Sequence, residues 1–250
     1  MKLTVIGCSG GFPTATSPAS CYLVEHDGHR LVLDLGNGAL SGLQRHVDPL
    51  VEGAITAVVL SHCHLDHCAD VGTLYVMRHY GPQPPLRPLP LFGPGVTVAR
   101  LAAIYGMADP QALLRSFDVR PFEGRPTTIG PFTIETSPAV HPVEAYSVRV
   151  TAGGRSLTYS GDTGPTPSLV DLARGTDIAL FEATFVGDGN PAGVHMSGAD
   201  AGRAAAAAGA GLLVLTHGML WNDEGTVVAE ARAEYDGPIE VARPDLTVSV

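Results

Sequence analysis

The stretch "LSHCHLDHCAD", from Leu60 to Asp70, concentrates potential metal ligands in one short segment. Imidazole and carboxylate groups together suit zinc, with manganese or iron as alternatives. On an extended segment, residues two apart point to the same side, so the first two histidines can share one ion while the later pair reaches a second. A polar loop that carries histidines by accident explains this density poorly. The four candidate ligands are His62, His64, Asp66 and His67.

An apolar run, "GAITAVVLS", leads directly into this segment and predicts a buried strand. Ligands at a strand end are held by a rigid scaffold and still reach solvent. Three further candidates follow predicted strands in the same way: His141 after "FTIETSPAV", Asp162 after "RSLTYSG", and His217 after "GLLVLT". A single such residue would more often be structural, but three of them predict completion of a two-metal site.

The order of predicted elements indicates the fold class. Two β-rich runs occur, one opening with "LTVIG", "SCYLVEH" and "HRLVLDLG", the other covering "FDVRPF" to "RSLTYSGDTG", and each is followed by helical patterns. The first of these helices is predicted over "ADVGTLYVMRHYG", residues 69–81. We therefore predict an α/β protein, a four-layer αββα sandwich in which two mixed β-sheets pack face to face with helices outside. Residues 1–250 are expected to form a single domain.

The composition of the chain indicates which binding partners and which cellular compartment to expect. The chain has 250 residues and a net charge of −10, so its field repels polyanions such as RNA or DNA. No run approaches the ~20 apolar residues of a membrane span, and the amino terminus lacks a signal-peptide core. We expect a cytoplasmic protein without membrane contact. Four cysteines are too few for a disulfide framework, and Cys63 and Cys68 are assigned to packing instead of metal binding.

The ligand set resembles that of the metallo-β-lactamase superfamily, whose motif His-x-His-x-Asp-His is followed by distant His, Asp and His residues. The resemblance spans nearly the whole chain and implies the αββα fold, a hydrolase and two divalent metal ions, with zinc expected. It assigns His62, His64 and His141 to one metal and Asp66, His67 and His217 to the other, with Asp162 bridging. Asp34, at the end of "HRLVLDLG", resembles the family's supporting acid; capping the "DLGNG" turn is its alternative role.

Two stretches narrow the resemblance to the ribonuclease Z-like branch: "DIALFEATF" and "GVHMSGADAGRAAAAAGAGLLVLTHG". There a glutamate orients a histidine that serves the phosphodiester leaving group, which implies these roles for Glu182 and His195, although Phe181 replaces the branch's first histidine. A departing alkoxide needs a proton, whereas a thiolate does not, so such a pair favours phosphodiesters over thioesters. The implied catalytic residues are His195, Glu182 and Asp66; the structural alternatives are a hydrogen-bonded strand-end carboxylate and a residue preceding a helix.

The sequence predicts no segment that could bind transfer RNA. Ribonuclease Z grips transfer RNA with a basic, glycine- and proline-rich arm, and only tight hairpins and a short helix are predicted between residues 142 and 184. The proline-dense "GPQPPLRPLP", residues 81–90, has one arginine. Nucleic acid is therefore not the expected partner, and a small-molecule phosphodiester is.

A second resemblance points to one small substrate. The segments "MKLTVIGCSGGFPTATSPASCYLV", "LVLDLGNGALSGLQRHVDP", "LTYSGDTG" and "VVAEARAEYDGP" resemble the atypical class II cyclic-nucleotide phosphodiesterases of bacteria. The resemblance implies hydrolysis of a 3′,5′-cyclic nucleotide such as cyclic AMP by a metal-bridging hydroxide, with His195 protonating the 3′ oxygen. The alternatives are a transfer-RNA 3′-processing endoribonuclease and, further away, a lactonase or thioesterase of the same fold.

Recognition of a base would need aromatic or apolar groups near the metals. Four aromatic residues lie close in sequence to a proposed ligand, and each is otherwise a candidate for the core: Trp221, Phe185, Tyr146 and Phe12. Relatives often form homodimers, and the apolar stretch "LYVMRHYG", residues 74–81, is a candidate dimer interface.

Overall fold

The structure is a computed structural model that describes residues 1–81, 85–187 and 190–250. Its strands form two seven-stranded sheets, ordered β14-β1-β2-β3-β4-β5-β6 and β13-β12-β11-β10-β9-β8-β7. The strands of the first sheet are β1 (Lys2–Gly7), β2 (Cys21–His26), β3 (His29–Leu33), β4 (Ala57–Val59), β5 (Leu89–Gly93), β6 (Phe117–Pro121) and β14 (Thr247–Ser249). Those of the second are β7 (Thr127–Ile129), β8 (Phe132–Pro138), β9 (Tyr146–Ala152), β10 (Arg155–Tyr159), β11 (Ile178–Glu182), β12 (Leu212–Thr216) and β13 (Ile239–Val241).

Helices connect the strands. The described α-helices are α1 (Ala39–Leu43), α2 (Leu65–Tyr80), α3 (Thr97–Tyr105), α4 (Pro167–Leu172), α5 (Gly198–Ala208) and α6 (Glu224–Glu234), and a 3₁₀ helix spans Pro110–Arg115. None of them, within the described ranges, has the length and hydrophobicity that crossing a bilayer requires.

Side chains that point alternately to the two faces of each sheet form the cores between the layers. In β3, Leu31 and Leu33 belong to a core between the sheets, whereas Val32 faces the opposite way, toward the helices. Strand β11 repeats this pattern, with Leu180 between the sheets and Phe181 against helices. Because successive strand residues point to opposite faces, each apolar run packs against two layers at once.

The helices divide between the two outer faces. Leu43 of α1, Leu74 of α2 and Leu101 of α3 lie in the core outside the first sheet. Leu169 of α4 and Ala205 of α5 lie in the core outside the second. The expected four-layer αββα sandwich of two mixed sheets is confirmed.

Some expectations need correction. Helix α2 begins at Leu65, four residues before the predicted start, so that its first turn includes the motif. The proposed interface stretch is not an exposed apolar surface, because Leu74 and Tyr75 are buried in the core and only Val76 and Tyr80 among its large apolar side chains are exposed. The predicted connector over 81–90 lies partly outside the described residues, at 82–84.

Candidate metal centre

Strand topology brings the candidate ligands together. Strands β3, β4 and β5 pair in parallel in the first sheet, as do β10, β11, β12 and β13 in the second. Parallel neighbours end at the same edge of a sheet, where crossover loops place ligand-binding groups. Asp162, Glu182 and His217 therefore lie side by side at the ends of β10, β11 and β12, facing the segment that follows β4.

The first ligand group consists of three imidazoles and a carboxylate. His62 Nε2 lies 3.0 Å from His64 Nδ1, which in turn lies 3.1 Å from His141 Nε2. Asp162 Oδ2 is 3.7 Å from His62 Nε2. These separations agree with the ~3.3 Å expected between nitrogens around a tetrahedral zinc with Zn–N bonds of about 2.0–2.1 Å, and each residue offers an atom within 4.8 Å of the others.

The second group shares Asp162 with the first. His67 Nε2 lies 3.3 Å from His217 Nε2 and 3.2 Å from Asp162 Oδ1. Asp66 Oδ2 lies 3.1 Å from His217 Nε2 and 3.3 Å from His67 Nε2. All seven sequence-predicted ligands thus form two adjacent groups, and the two carboxylate oxygens of Asp162 face one group each.

The hydrogen bonding of Asp162 Oδ1 indicates whether cations fit between the two ligand groups. Asp162 is 3 % exposed, and its Oδ1 makes no hydrogen bond within the described part of the chain. A buried carboxylate oxygen without a donor carries a desolvation cost that a bound cation removes. The nitrogen and oxygen donors of both groups fit divalent metal ions.

Hydrogen bonds on the far side of the His141 and His217 rings fix which nitrogen faces the centre. His141 Nδ1 donates to the carbonyl of Val194 at 3.0 Å. His217 Nδ1 donates to the Thr184 hydroxyl at 2.7 Å, and that hydroxyl donates to Glu182 Oε2 at 2.6 Å. Such partners hold the tautomer and ring orientation of metal-ligating histidines. Both residues therefore present Nε2 to the ligand groups.

Asp34 lies behind the His67 ring, on the side away from the second ligand group. It is fully buried just after β3 with a positive φ of 56°. Its carboxylate accepts hydrogen bonds from the Ser61 amide (2.7 Å) and hydroxyl (2.7 Å), the Tyr159 hydroxyl (2.8 Å) and His67 Nδ1 (2.7 Å). Through these hydrogen bonds the Asp34 carboxylate, which follows β3, contacts the segment after β4 and the last residue of β10. It also holds the orientation of the His67 ring. This geometry favours a supporting acid over a turn cap, and that role stays a prediction.

Charge differs between the two groups. Burial lowers the pKa of His62, His64 and His141, which leaves neutral imidazoles with free lone pairs. Burial opposes charge on His67 as well, but the carboxylates of Asp162 and Asp34 outweigh it and raise the pKa of that ring. The second group therefore requires positive charge beside its carboxylates, which a divalent cation also provides.

His195 and Glu182 form a pair beside the ligands. Glu182 is fully buried, and His195 Nδ1 lies 3.0 and 3.1 Å from its two oxygens. The Thr163 amide donates to the same carboxylate at 2.6 Å. His195 Nδ1 lies 4.0 Å from Asp162 Oδ2. Because Nδ1 is bound to the carboxylate, Nε2 remains for a molecule in the cavity.

The ligand groups open into a cavity of about 510 Å³. Phe185 and Trp221 line it, and the Phe185 ring meets the His195 ring edge-on at 5.4 Å. Phe12 lies behind Trp221, with ring centroids 5.9 Å apart. Tyr146 needs a correction: it lies outside the cavity because its ring packs on Phe122 and its hydroxyl donates to Glu144.

Some supporting groups were not assigned from the sequence. The Thr184 hydroxyl connects His217 to Glu182, and the only sequence signal for it was its place in "FEATF". Ser61 and Tyr159 hold Asp34 through contacts between strands distant in sequence. No local pattern predicts such contacts, because they depend on strand order.

A comparison with protein families matches residues 29–218 to the β-lactamase superfamily domain. The chain belongs to the β-lactamase superfamily. All seven candidate ligands fall inside the matched range. Family membership and this ligand set together make the chain a metal-dependent hydrolase.

Relatives within the superfamily cover the whole chain. It is 44 % identical to the uncharacterized protein ML1173 of Mycobacterium leprae, over 96 % of this chain and 85 % of that one. It is 33 % identical to the probable metallo-hydrolase YhfI of Bacillus subtilis, over 97 % of both. The YhfI crystal structure superimposes with a TM-score of 0.87 over 99 % of both chains, at 30 % identity. A ribonuclease Z of Myxococcus xanthus is 27 % identical over 100 % of this chain and 98 % of its own.

Proposed function

We propose that this superfamily member is a dinuclear metal-dependent phosphodiesterase acting on a small phosphodiester, with a 3′,5′-cyclic nucleotide such as cyclic AMP as the specific candidate. The observation that carries the proposal is the His195–Glu182 pair, with Nδ1 on the carboxylate 3.0 Å away and the ring beside the bridging Asp162. Divalent ions held by the two ligand groups would supply an acidified water and neutralise charge on the phosphoryl oxygens.

The His195–Glu182 pair supplies the proton that the leaving group needs. When protonated, His195 carries hydrogen on both nitrogens, and Glu182 holds the one on Nδ1. The hydrogen on Nε2 is then the one available to the departing alkoxide. Glu182 itself is fixed by Thr163 and Thr184, so it positions His195 and does not contact the substrate.

The cavity lining supports a small substrate with one negative charge. Among the described residues, no lysine or arginine lines the cavity. Polyphosphates and RNA need several cationic contacts, whereas a single diester phosphate is matched by the metal ions. The exposed Trp221, at 70 %, and Phe185 provide apolar faces for a base. A cavity of about 510 Å³ lies within the range of small-molecule sites.

Transfer-RNA 3′ processing is the second candidate. It is favoured by the similarity to the Myxococcus xanthus protein named ribonuclease Z. The net charge of −10 and the cavity without basic residues argue against it. A thioesterase activity would leave the His195–Glu182 pair without a leaving group that needs its proton, because a thiolate departs unprotonated.

A substrate panel tests the proposal. The metal-loaded protein is assayed with cyclic AMP, cyclic GMP, bis-p-nitrophenyl phosphate, precursor transfer RNA, an acyl-homoserine lactone and a glutathione thioester, with metal content measured on the same sample. We expect cyclic nucleotides to be hydrolysed with the highest kcat/KM. Faster processing of precursor transfer RNA, or faster lactone or thioester hydrolysis, would contradict the proposal.

Replacing the proposed acid gives the first testable prediction. His195→Ala should lower kcat on cyclic AMP by about 10²-fold or more, as expected for loss of a general acid, and should retain the metal ions because no ligand is changed. The smaller loss expected with bis-p-nitrophenyl phosphate, whose leaving group departs unaided, separates acid catalysis from misfolding. His29→Ala, at the exposed start of β3, is the matched control. Unchanged kcat in His195→Ala would remove the proposed role.

A further inference from the structure

Two side-chain amides line the metal cavity, the space of about 510 Å³ into which the ligand groups open, and the function proposed above assigns no role to either. They belong to Asn190 and Asn222. Asn190 Nδ2 donates to the Gly187 carbonyl at 2.6 Å in an exposed contact. Asn222 Nδ2 donates to the Thr184 carbonyl at 2.8 Å in a partly buried one. Water competes less for the partly buried hydrogen bond, so the Asn222 amide is the one held in place.

The backbone of Asn222 is held as well. Its N–H donates to the Met219 carbonyl at 3.0 Å. The next residue, Asp223, caps helix α6 by accepting from the Thr226 amide. The Asn222 side chain therefore stands on a turn that is fixed at both ends, and a ligand that binds it causes little further ordering of the chain.

The hydrogen bond to Thr184 also fixes the orientation of the Asn222 amide. A carbonyl oxygen can only accept, so the group that faces it is Nδ2 and not Oδ1. Within the described part of the chain Asn222 Oδ1 accepts no hydrogen bond, and it is open to solvent. One of the two hydrogens on Nδ2 is likewise free. An acceptor and a donor therefore remain side by side for a ligand.

Thr184 connects this amide to the second ligand group. Its carbonyl accepts from Asn222, and its hydroxyl lies 2.7 Å from His217 Nδ1. The amide is therefore separated from the candidate metal ions by one residue and the His217 ring. Trp221 precedes Asn222 and Phe185 follows Thr184, so the apolar faces offered to a base adjoin the amide. Asn222 also borders a neighbouring cavity, but Thr184 lines the metal cavity and not that one.

We propose that Asn222 recognises the base of the nucleotide and selects adenine. The assignment rests on the proposed function, which makes the substrate a cyclic nucleotide. In adenine an amino group adjoins the ring nitrogen N7, and an asparagine amide matches this pattern with two hydrogen bonds. Oδ1 accepts from the amino group, and the free hydrogen of Nδ2 donates to N7. Guanine presents two acceptors at the same edge, so Oδ1 would face another acceptor.

The test compares kcat/KM of the metal-loaded wild-type protein and of Asn222→Ala on cyclic AMP, its 7-deaza analogue and cyclic GMP. In the wild type, cyclic AMP should exceed cyclic GMP by about tenfold or more. The 7-deaza analogue, which lacks the N7 acceptor, should fall about fivefold below cyclic AMP because one hydrogen bond is lost. Asn222→Ala should lower kcat/KM on cyclic AMP by about tenfold or more and give similar values for all three substrates.

Two comparisons separate base recognition from a structural role. Bis-p-nitrophenyl phosphate has no base, so its kcat/KM should fall much less in Asn222→Ala; an equal loss on it would overturn the proposal. Asn190→Ala, which changes the other amide of the lining, should keep the preference for cyclic AMP. Equal wild-type kcat/KM on both cyclic nucleotides, or an unchanged preference in Asn222→Ala, would overturn adenine selection and leave the phosphodiesterase function standing. Hydrolysis of bis-p-nitrophenyl phosphate but of no cyclic nucleotide would overturn both.

Discussion

At the residue scale, the role of Asp34 could not be decided from its position in the sequence. The sequence allowed a supporting acid or a turn cap, since both place a carboxylate after a strand. The structure places four donors on its two oxygens, among them His67 and two groups of Ser61. These donors come from segments about thirty residues or more away, and the order of the strands, which the local pattern does not specify, brings them together. The grouping of the seven candidate ligands was easier to predict, because each follows an apolar run or lies in the dense motif.

Asp34 gives the second prediction. Asp34→Asn should weaken zinc binding by about 10–100-fold, the usual effect of removing a carboxylate behind a ligating histidine. An asparagine offers one acceptor oxygen and places an amide group where the carboxylate faces four donors. The measurement is competition for zinc against a chromophoric chelator.

The matched control for this change is Asp48→Asn, where an exposed aspartate that belongs to neither ligand group accepts from the Leu50 amide. Circular dichroism of both variants checks that the fold is retained. Wild-type zinc affinity in a folded Asp34→Asn protein would show that the carboxylate does not support the centre.

At the element scale, prediction succeeded where apolar periodicity is strong. The run "GAITAVVLS" contains β4, and "SCYLVEH" and "HRLVLDLG" contain β2 and β3. Strands β13 and β14 were not predicted, since each has three residues and no fully buried side chain that would produce a pattern. The start of α2 was placed too late because its first turn contains the candidate ligands Asp66 and His67, which do not follow a helical apolar pattern.

Helix α5 follows the His195 segment and provides the third prediction. Its capping box joins Ser197 and Asp200, with the Ser197 hydroxyl 2.8 Å from the carboxylate. Burial opposes ionisation of Asp200, but the hydrogen bonds from Ser197 and Arg203 outweigh it and hold its pKa below the ordinary value. Asp200→Ala should therefore lower the free energy of unfolding at neutral pH by about 1 kcal/mol.

The pH dependence of this effect has a defined sign. A depressed native pKa contributes stability above the unfolded-state value of about 3.9, and the contribution is lost as the pH falls through the native value. The difference between wild type and Asp200→Ala should thus shrink in acid. Urea unfolding at neutral pH and below pH ~3 measures it, with Asp171→Ala, an exposed partner of Arg174, as control. A difference independent of pH would rule out the carboxylate as its cause.

At the scale of the whole molecule, the layers follow from the sequence and the cavities do not. Alternation in β3 and β11 predicts two sheets with a shared core, and the order of strands and helices predicts the outer layers. The space above the ligands depends on loops after β1, β11 and β12 that have no periodic pattern. Substrate identity lies in that space, so the sequence predicts the reaction class more firmly than the substrate.

The seven candidate metal ligands come from both sheets, and this arrangement gives the last prediction. His62 to His67 follow β4 in the first sheet, whereas His141, Asp162 and His217 follow strands of the second. Metal ions bound only by the folded chain stabilise it by about 2.7 kcal/mol at a free concentration 100-fold above Kd. Treatment with a chelator should lower the thermal midpoint, and added zinc should restore it.

The variant Asp162→Asn alters the carboxylate shared by both ligand groups. In this variant the zinc-dependent rise of the thermal midpoint should be much smaller, whereas Asp171→Asn should respond as wild type. Equal midpoints with and without zinc in the wild-type protein would show that the two sheets are not joined through bound metal.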